Sequence, residues 1–298
     1  MSPENTLKNS NNNNNNNNNS LNKSSAENKP DTFIAFFGPA GTFTEEAASR
    51  LNGELVAFDS IIEVLEAVKT DRAKKGVVPI ENSIEGPVGV TLDLLAQDYD
   101  LIIEKEIILP ISHNLMVNKG VKLDEIDSVY SHAQPLAQCR IFLEKLGLIT
   151  HSTSSTAAAA KFIKGKNNAA AIGNHRAAEL YDLDIIQTDI QDFENNRTRF
   201  IVLGKNKSKP TGNDKTSIVF SLYEDRPGGL YEILGYFAGN KINLTKIESR
   251  PSKKGLGKYF FFIDFEGHRD DLIVKDILDT IKNNAPFLKL LGSYPPEN

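Results

Sequence analysis

Phe33-Ile34-Ala35-Phe36-Phe37, then Gly38-Pro39-Ala40-Gly41, then Thr42-Phe43-Thr44-Glu45: these thirteen residues decide how the remainder of the chain is read. Five consecutive apolar residues suit a strand buried on both faces, and the glycines and proline suit a turn. Thr42 and Glu45 have the spacing of a capping box that opens a helix. The unit recurs. Ser60-Ile61-Ile62-Glu63 is a second capping box, starting a helix through about Lys69, and Gly76-Val77-Val78-Pro79-Ile80 is a strand ending in Glu81-Asn82-Ser83. Strands are predicted at 101–109, 115–117 and 128–130, the last running into Ser131-His132-Ala133-Gln134. Pro135 suits the first turn of a helix that ends at Gly147. Ser155-Thr156 can cap a helix over 157–163, and strands follow at 169–172, 185–189 and 199–203.

Alternation of this kind predicts mostly parallel sheets flanked by helices, with ligands beyond the carboxyl ends of the strands. Those ends are polar: Gly41-Thr42, Glu81-Asn82-Ser83, Ser131 to Gln134, Ser155-Thr156 and Gly173-Asn174-His175-Arg176. Helix N-termini at such an edge offer free N–H groups and partial positive charge, each worth about 0.3–1 kcal/mol to an anion, so a small carboxylate is the expected ligand. Asn196-Arg197-Thr198-Arg199-Phe200 adds an amide, a hydroxyl and two guanidiniums at the start of the apolar run Ile201-Val202-Leu203. Such groups cost desolvation unless paired, and an anionic ligand is one good partner.

With 298 residues the chain is long enough for two cores, and 40% hydrophobic with 24% charged residues is ordinary for a soluble protein. A net charge of -5 without a long basic run argues against nucleic acid as a partner. No apolar run reaches the roughly 18–20 residues of a membrane span, and the N-terminus carries no apolar signal segment. Cys139 is the sole cysteine, which excludes an intramolecular disulfide and a cysteine-based zinc site; a reducing, cytoplasmic compartment is expected. Residues 1–31, with Asn11 to Asn19 all asparagine, read as a disordered tail without the arginines and apolar face of an organelle-targeting peptide. Residues 206–215, with Pro210 and Gly212, read as a linker to a βαββαβ, ferredoxin-like module over 216–295.

Several stretches together resemble the prephenate dehydratase family over nearly all of 32–295. They are Gly38 to Phe43, Val78-Pro79-Ile80-Glu81-Asn82-Ser83, Ser131-His132-Ala133-Gln134 with Gln138-Cys139, Ser155-Thr156-Ala157 and Asn196 to Phe200. The last module resembles an ACT regulatory domain through Gly228-Gly229-Leu230 and Glu248-Ser249-Arg250-Pro251, motifs that bind phenylalanine in this family. The resemblance implies an α/β catalytic domain over 32–205 with two lobes, similar to type II periplasmic binding proteins. Lobe 1 would cover about 32–109 and 190–205, lobe 2 about 110–189, with the active site between them. It also implies the reaction, loss of water and carbon dioxide from prephenate to give phenylpyruvate in phenylalanine biosynthesis. No metal or organic cofactor is implied, because aromatisation drives the step. Phenylalanine would act as effector at ACT interfaces between subunits, in a homodimer or homotetramer.

By the same resemblance Thr198 is the proton donor, or the hydrogen bond that stabilises departing hydroxide, with its alkoxide character shared with Arg199 or a water. Thr42, Glu81, Asn82, Ser83, Ser131, His132, Gln134, Gln138, Ser155, Thr156, Asn196, Arg199 and Phe200 would contact substrate. Glu81 stays open between an acid, an orienting acceptor and a helix-dipole partner; Cys139 is expected to pack in its helix. Ala133 stands where the family usually has Pro, and Gly229 where it has Ala. Two alternatives stay open: an arogenate dehydratase, whose substrate carries an amino group in place of the keto oxygen, and a noncatalytic amino-acid sensor.

Overall fold

The computed structural model describes residues 33–224, 226–253, 255 and 257–297; the Asn-rich tail expected over 1–31 lies outside the described residues. Chain order in the first lobe is β1 (Phe33–Phe37), α1 (Phe43–Ala48), β2 (Glu54–Phe58), α2 (Ile61–Lys69), β3 (Lys75–Asn82), β4 (Gly86–Pro87), α3 (Gly89–Gln97) and β5 (Ile102–Pro110). The second lobe holds β6 (Asn114–Val117), β7 (Ser128–Ser131), α4 (Ala133–Gln138), α5 (Arg140–Leu146), β8 (Ile149–Ser152), α6 (Thr156–Ile163), β9 (Ala169–Gly173), α7 (His175–Tyr181) and β10 (Asp184–Gln187). The chain then returns to the first sheet as β11 (Arg197–Gly204). A third unit follows: β12 (Lys215–Ser221), α8 (Gly229–Gly239), β13 (Leu244–Pro251), β14 (Tyr259–Glu266), α9 (Leu272–Asn284) and β15 (Phe287–Tyr294).

The capping box at Ser60 forms in full, and at Thr42 its side-chain cap forms while the Glu45 carboxylate reaches one residue further back. Ser60 Oγ accepts from Glu63 N while the Glu63 carboxylate accepts from Ser60 N, and Thr42 Oγ1 accepts from Glu45 N. Glu45 reaches back to Gly41 N at 2.5 Å, and Gly41 has φ +85°, a turn conformation open to glycine. Three strands go beyond the sequence reading: β2, the two-residue β4 and β8. Every residue of β8 is exposed, so it carries no apolar pattern. The helix expected from Pro135 to Gly147 is broken at Cys139 (φ -112°, ψ 20°). There Asp192 intervenes: its N–H donates to Gln138 O at 2.7 Å and its carboxylate accepts from Ile141 N.

The sheets run β2-β1-β3-β11-β5, β10-β6-β9-β7-β8 and β13-β14-β12-β15. The expectation of mostly parallel sheets needs correction. β11 is antiparallel to both β3 and β5, and β6 is antiparallel to β9 and β10. The reason is the crossover: β5 leaves the first lobe, the second lobe intervenes, and β11 re-enters beside the end from which β5 left, Arg197 opposite Pro110, so it must run the other way. That reversal positions the site, because it lays the start of β11 on the carboxyl end of β3, with Thr198 opposite Asn82.

The third sheet is four antiparallel strands in the ferredoxin-like order. One face (Ile218, Phe220, Ile263, Phe265) packs under α8 and α9. The other (Val219, Phe260, Phe262, Leu291, Tyr294) joins one core with Leu101, Ile103, Ile201 and Leu203 of the first lobe. Contact is close enough that a Cβ on Gly292 would overlap the carbonyl oxygen of Ile103. No helix among the described residues is long and apolar enough to cross a membrane.

Candidate active site

Between the two lobes lies a cleft of about 880 Å³. Alternation along β11 sends Thr198 into it and leaves Phe200, buried in the first-lobe core, as part of its floor. Also lining it are Thr42 and Asn82 of the first lobe, Asn196 just before β11, and His132, Gln134, Gln138, Ser155 and Thr156 of the second. These are ten of the fourteen residues that the sequence reading assigned to catalysis and substrate.

One hydrogen-bonded chain runs through them. Asn82 Oδ1 accepts the backbone N–H groups of Ile84 and Glu85, both at 3.0 Å. Its Nδ2 therefore faces the other way and donates to Asn196 Oδ1 at 2.7 Å and Thr198 Oγ1 at 2.9 Å. Asn196 Nδ2 donates to Gln138 Oε1 at 3.1 Å, and Gln138 Nε2 donates across the lobes to Glu85 Oε1 at 3.2 Å. The consequence for Thr198 is direct: its oxygen already accepts a hydrogen bond, so its own hydrogen is available to whatever enters the cleft.

Helix N-termini point at the same space. Ser155 Oγ accepts from Ala158 N, which leaves the N–H groups of Thr156 and Ala157 in the first turn of α6 for a ligand, with Lys161 also at the cleft wall. His132 caps α4 by accepting from Gln134 N. An ion pair and a hydrogen bond bridge the lobes nearby, Arg176 to Glu45 at 3.0 Å and Asn174 Nδ2 donating to Glu46 at 3.3 Å. Burial raises the Glu46 carboxyl above its ordinary range despite the bond from Asn174. Among the described residues no cluster of three or more His, Cys, Asp or Glu side chains is gathered to hold a metal ion.

Four predicted contacts lie elsewhere. Ser131 is buried and spends its hydroxyl on Ile172 O at 2.8 Å, and Ser83 exchanges bonds with Asn195 O and Arg197 N, bracing the β3–β11 junction. Glu81 and Arg199 face away from the cleft, since each neighbours a cleft residue on an alternating strand. Arg199 is 6% exposed. It meets Glu81 at 2.9 Å, Glu106 at 2.7 Å, Asp264 at 2.5 Å and the Tyr294 hydroxyl at 2.7 Å. Lys246 also binds Glu81, and Lys215 binds Glu106 at 2.8 Å. Three cations thus balance three carboxylates between the first lobe and the third sheet. Burial opposes the charges on Asp264 and Glu81, but Arg199 and Lys246 outweigh it and hold both carboxyls below their ordinary ranges. Burial likewise opposes the guanidinium, and the surrounding negative groups overcome it.

The expected effector motifs separate similarly. Gly228 (φ +83°) caps α8, Gly229 begins it, and Leu230 packs toward the core beneath. A methyl on Gly229 would come within 3.3 Å of Leu222, so its absence relieves a tight contact. Along β13, Ser249 and Pro251 are exposed, whereas Glu248 and Arg250 are half-buried. Arg250 does not stand open to a ligand here; it holds Asp93 of α3 in two bonds of 2.6 and 3.0 Å. Sequence reading missed His113, whose Nε2 lies 2.9 Å from Gln138 Oε1, and Glu85. Neither sits in a local pattern that marks it.

Residues 34–208 match the family described as prephenate dehydratase, and 216–283 match the ACT domain. The chain is similar to a prephenate dehydratase of Methanocaldococcus jannaschii, 45% identical over 268 residues that cover 86% of this chain and 96% of that one. It is also similar to arogenate dehydratase/prephenate dehydratase 2 of Arabidopsis thaliana, 42% identical over 91% of this chain and 74% of that one. Among solved structures it matches a prephenate dehydratase from Arthrobacter aurescens in complex with L-Phe, with TM-score 0.83, 36% identity, and coverage of 89% of this chain and 90% of that one. On these matches, and with the two-lobed cleft and third sheet in place, the chain belongs to the prephenate dehydratase family.

Proposed function

We propose that the chain is a prephenate dehydratase regulated by phenylalanine, working as a homodimer or homotetramer in the cytoplasm. The observation that carries the reading is the donor on Thr198: Asn82, fixed by two backbone N–H groups, turns its amide toward Oγ1 and leaves the threonine hydrogen free. In the reaction the bond to the ring carboxylate breaks, releasing carbon dioxide. Its electron pair moves through the ring and expels the C4 oxygen, which takes the Thr198 proton and leaves as water. A threonine hydroxyl is a poor acid, so the negative charge left on Oγ1 needs a donor aimed at it before the reaction starts. Asn82 Nδ2 fills the role first assigned to Arg199, whose guanidinium lies on the other face of the sheet. The first turn of α6, with Lys161, suits a substrate carboxylate.

For phenylalanine control the support is the ACT match and the relative with L-Phe bound. Large apolar side chains exposed on the helices of the third unit, Tyr231 of α8 at 78% and Leu272 and Ile273 of α9 at 82% and 54%, support subunit contact through these helices. The test is turnover of prephenate to phenylpyruvate, with arogenate as comparison substrate. Thr198→Ala is expected to lower kcat by about 10²–10³, the usual loss for one preorganised donor, with an unchanged melting midpoint, and Thr198→Ser to retain part of the rate. Equal turnover in all three proteins removes Thr198 from the mechanism.

A further inference from the structure

His113 stands in the three-residue connection Ile111-Ser112-His113 between β5 and β6, where the chain crosses from the first lobe to the second. Both flanks of that connection are tied to the return crossing: Ile111 N donates to Asn196 O at 2.8 Å, Ile190 N to His113 O at 2.9 Å, and His113 N to Gln191 Oε1 at 2.8 Å. The imidazole is 2% exposed and lies edge-on to Phe43 of α1, with ring centroids 6.0 Å apart.

Counting hydrogens along the cleft chain determines the state of this ring. Backbone donors fix Asn82 Oδ1, so Asn82 Nδ2 must face Asn196 Oδ1. Asn196 Nδ2 then faces Gln138, whose atom in contact has to be Oε1. An oxygen that accepts from Asn196 can be approached by His113 Nε2 only if that nitrogen carries a hydrogen. Which ring nitrogen is protonated is set by the bond it makes, so His113 is the Nε2–H tautomer. Its Nδ1 is buried without a hydrogen-bond partner, in keeping with a bare nitrogen. Burial also pulls the imidazole below its ordinary pKa, by more than the Gln138 bond raises it. Facing the ring are Gln138 from α4 and Phe43 from α1. Within the hydrogen-bonded network a carboxylate, Glu85, lies beyond Gln138 on its amide nitrogen.

We propose that His113 is a positioning residue: its Nε2–H holds the Gln138 amide in the one orientation that lets Asn196 and Asn82 present Thr198 as a hydrogen donor. If Gln138 turned over, its NH₂ would meet the NH₂ of Asn196, and relieving that clash would set Asn196 against Asn82. His113 itself stands in the cleft wall, and its bond blocks this rearrangement from the crossing on which the lobes would hinge. The inference rests on the assignment of Thr198 as the donor, and the experiment below separates the two.

In the full-length protein, His113→Leu is expected to lower kcat for prephenate about tenfold, the order of one hydrogen bond within an active-site network, with KM changed less than twofold. His113→Gln, which can return an N–H near the same place, recovers most of that loss. In a Gln138→Met background the same His113→Leu change has no further effect on kcat, because the group it acts through is gone. Additive losses, or an unchanged kcat in His113→Leu, overturn the proposal even where Thr198→Ala is inactive. A fully active Thr198→Ala instead overturns the reading beneath it. Nitrogen-15 chemical shifts of the wild-type imidazole test the same claim without any substitution: Nε2–H with bare Nδ1 is expected, and the opposite tautomer refutes it.

Discussion

The two faces of β11 make opposite uses of polar side chains one residue apart. Thr198 is partly exposed in a cleft, touches one amide, and has a hydrogen to spare. Arg199 is buried, touches three carboxylates and a phenol, and has nothing left for a ligand. On the first face polarity is left unfinished, which suits binding and catalysis; on the second it is completed inside the chain, which fixes the third sheet against the first lobe. A strand with period two can serve both at once, because neighbouring residues never share an environment. The cleft is therefore one peptide away from the surface that would carry an effector signal.

The sharpest way to break the contrast is Arg199→Met. Methionine fills much of the volume but leaves Asp264, 5% exposed, without its ion-pair partner, and Glu106, 0% exposed, with Lys215 alone. Removing one partner of a buried ionic group typically costs about 3–5 kcal/mol, so a large fall in the unfolding midpoint is expected. Thr198→Ala should leave that midpoint in place. If Arg199→Met were as stable as wild type and merely slow, the cation would belong to the catalytic face after all.

How far this division was legible in the sequence differs between the two faces. Capping at Ser60 and Thr42 could be read because each bond closes within four residues, and the apolar runs of β1, β3 and β11 announce themselves. Asn82, Asn196, Gln138 and Thr198 were found as motif residues, although nothing local shows that they form one chain. Arg199 was misassigned for a physical reason. Its partners Asp264 and Tyr294 lie 65 and 95 residues further on, and only docking of the third sheet turns them toward it. His113 was missed likewise, since its partner Gln138 stands 25 residues away. β8 left no trace at all because a strand exposed along its whole length needs no apolar alternation.

Acid exposes the same contrast through linkage. Asp264 and Glu81 titrate below their ordinary values in the folded protein, so the stability they supply is complete above the unfolded carboxyl range and is lost as pH falls through the folded values. Wild type should accordingly lose stability as pH drops from about 6 to about 3, by a few kcal/mol at most for groups of this kind. In Arg199→Met the sign at Asp264 should reverse: burial without the guanidinium favours the protonated carboxyl, so acid relieves the variant over the upper part of that range. Chemical denaturation at several pH values reads both slopes. Parallel slopes would mean that Arg199 does not govern the carboxylates around it.

The smallest effect expected is the one that bears on regulation. Lys246 lies on β13, two residues before the Glu248 to Pro251 motif, and its ammonium binds Glu81, the residue before Asn82. A change in β13 on binding phenylalanine would reach Asn82 through this pair, whereas the Arg250–Asp93 pair reaches only α3. Lys246→Met keeps the length of the stem and its packing while removing the charge. Substitutions along such networks alter coupling by about 0.5–2 kcal/mol, so the phenylalanine concentration at half effect should shift about threefold or more, with kcat in its absence within twofold of wild type. An unchanged phenylalanine response would confine Lys246 to holding the sheet in place. A matching loss in Arg250→Ala alone would move the route from β3 to α3, since the charge on Lys246 would then be dispensable to it.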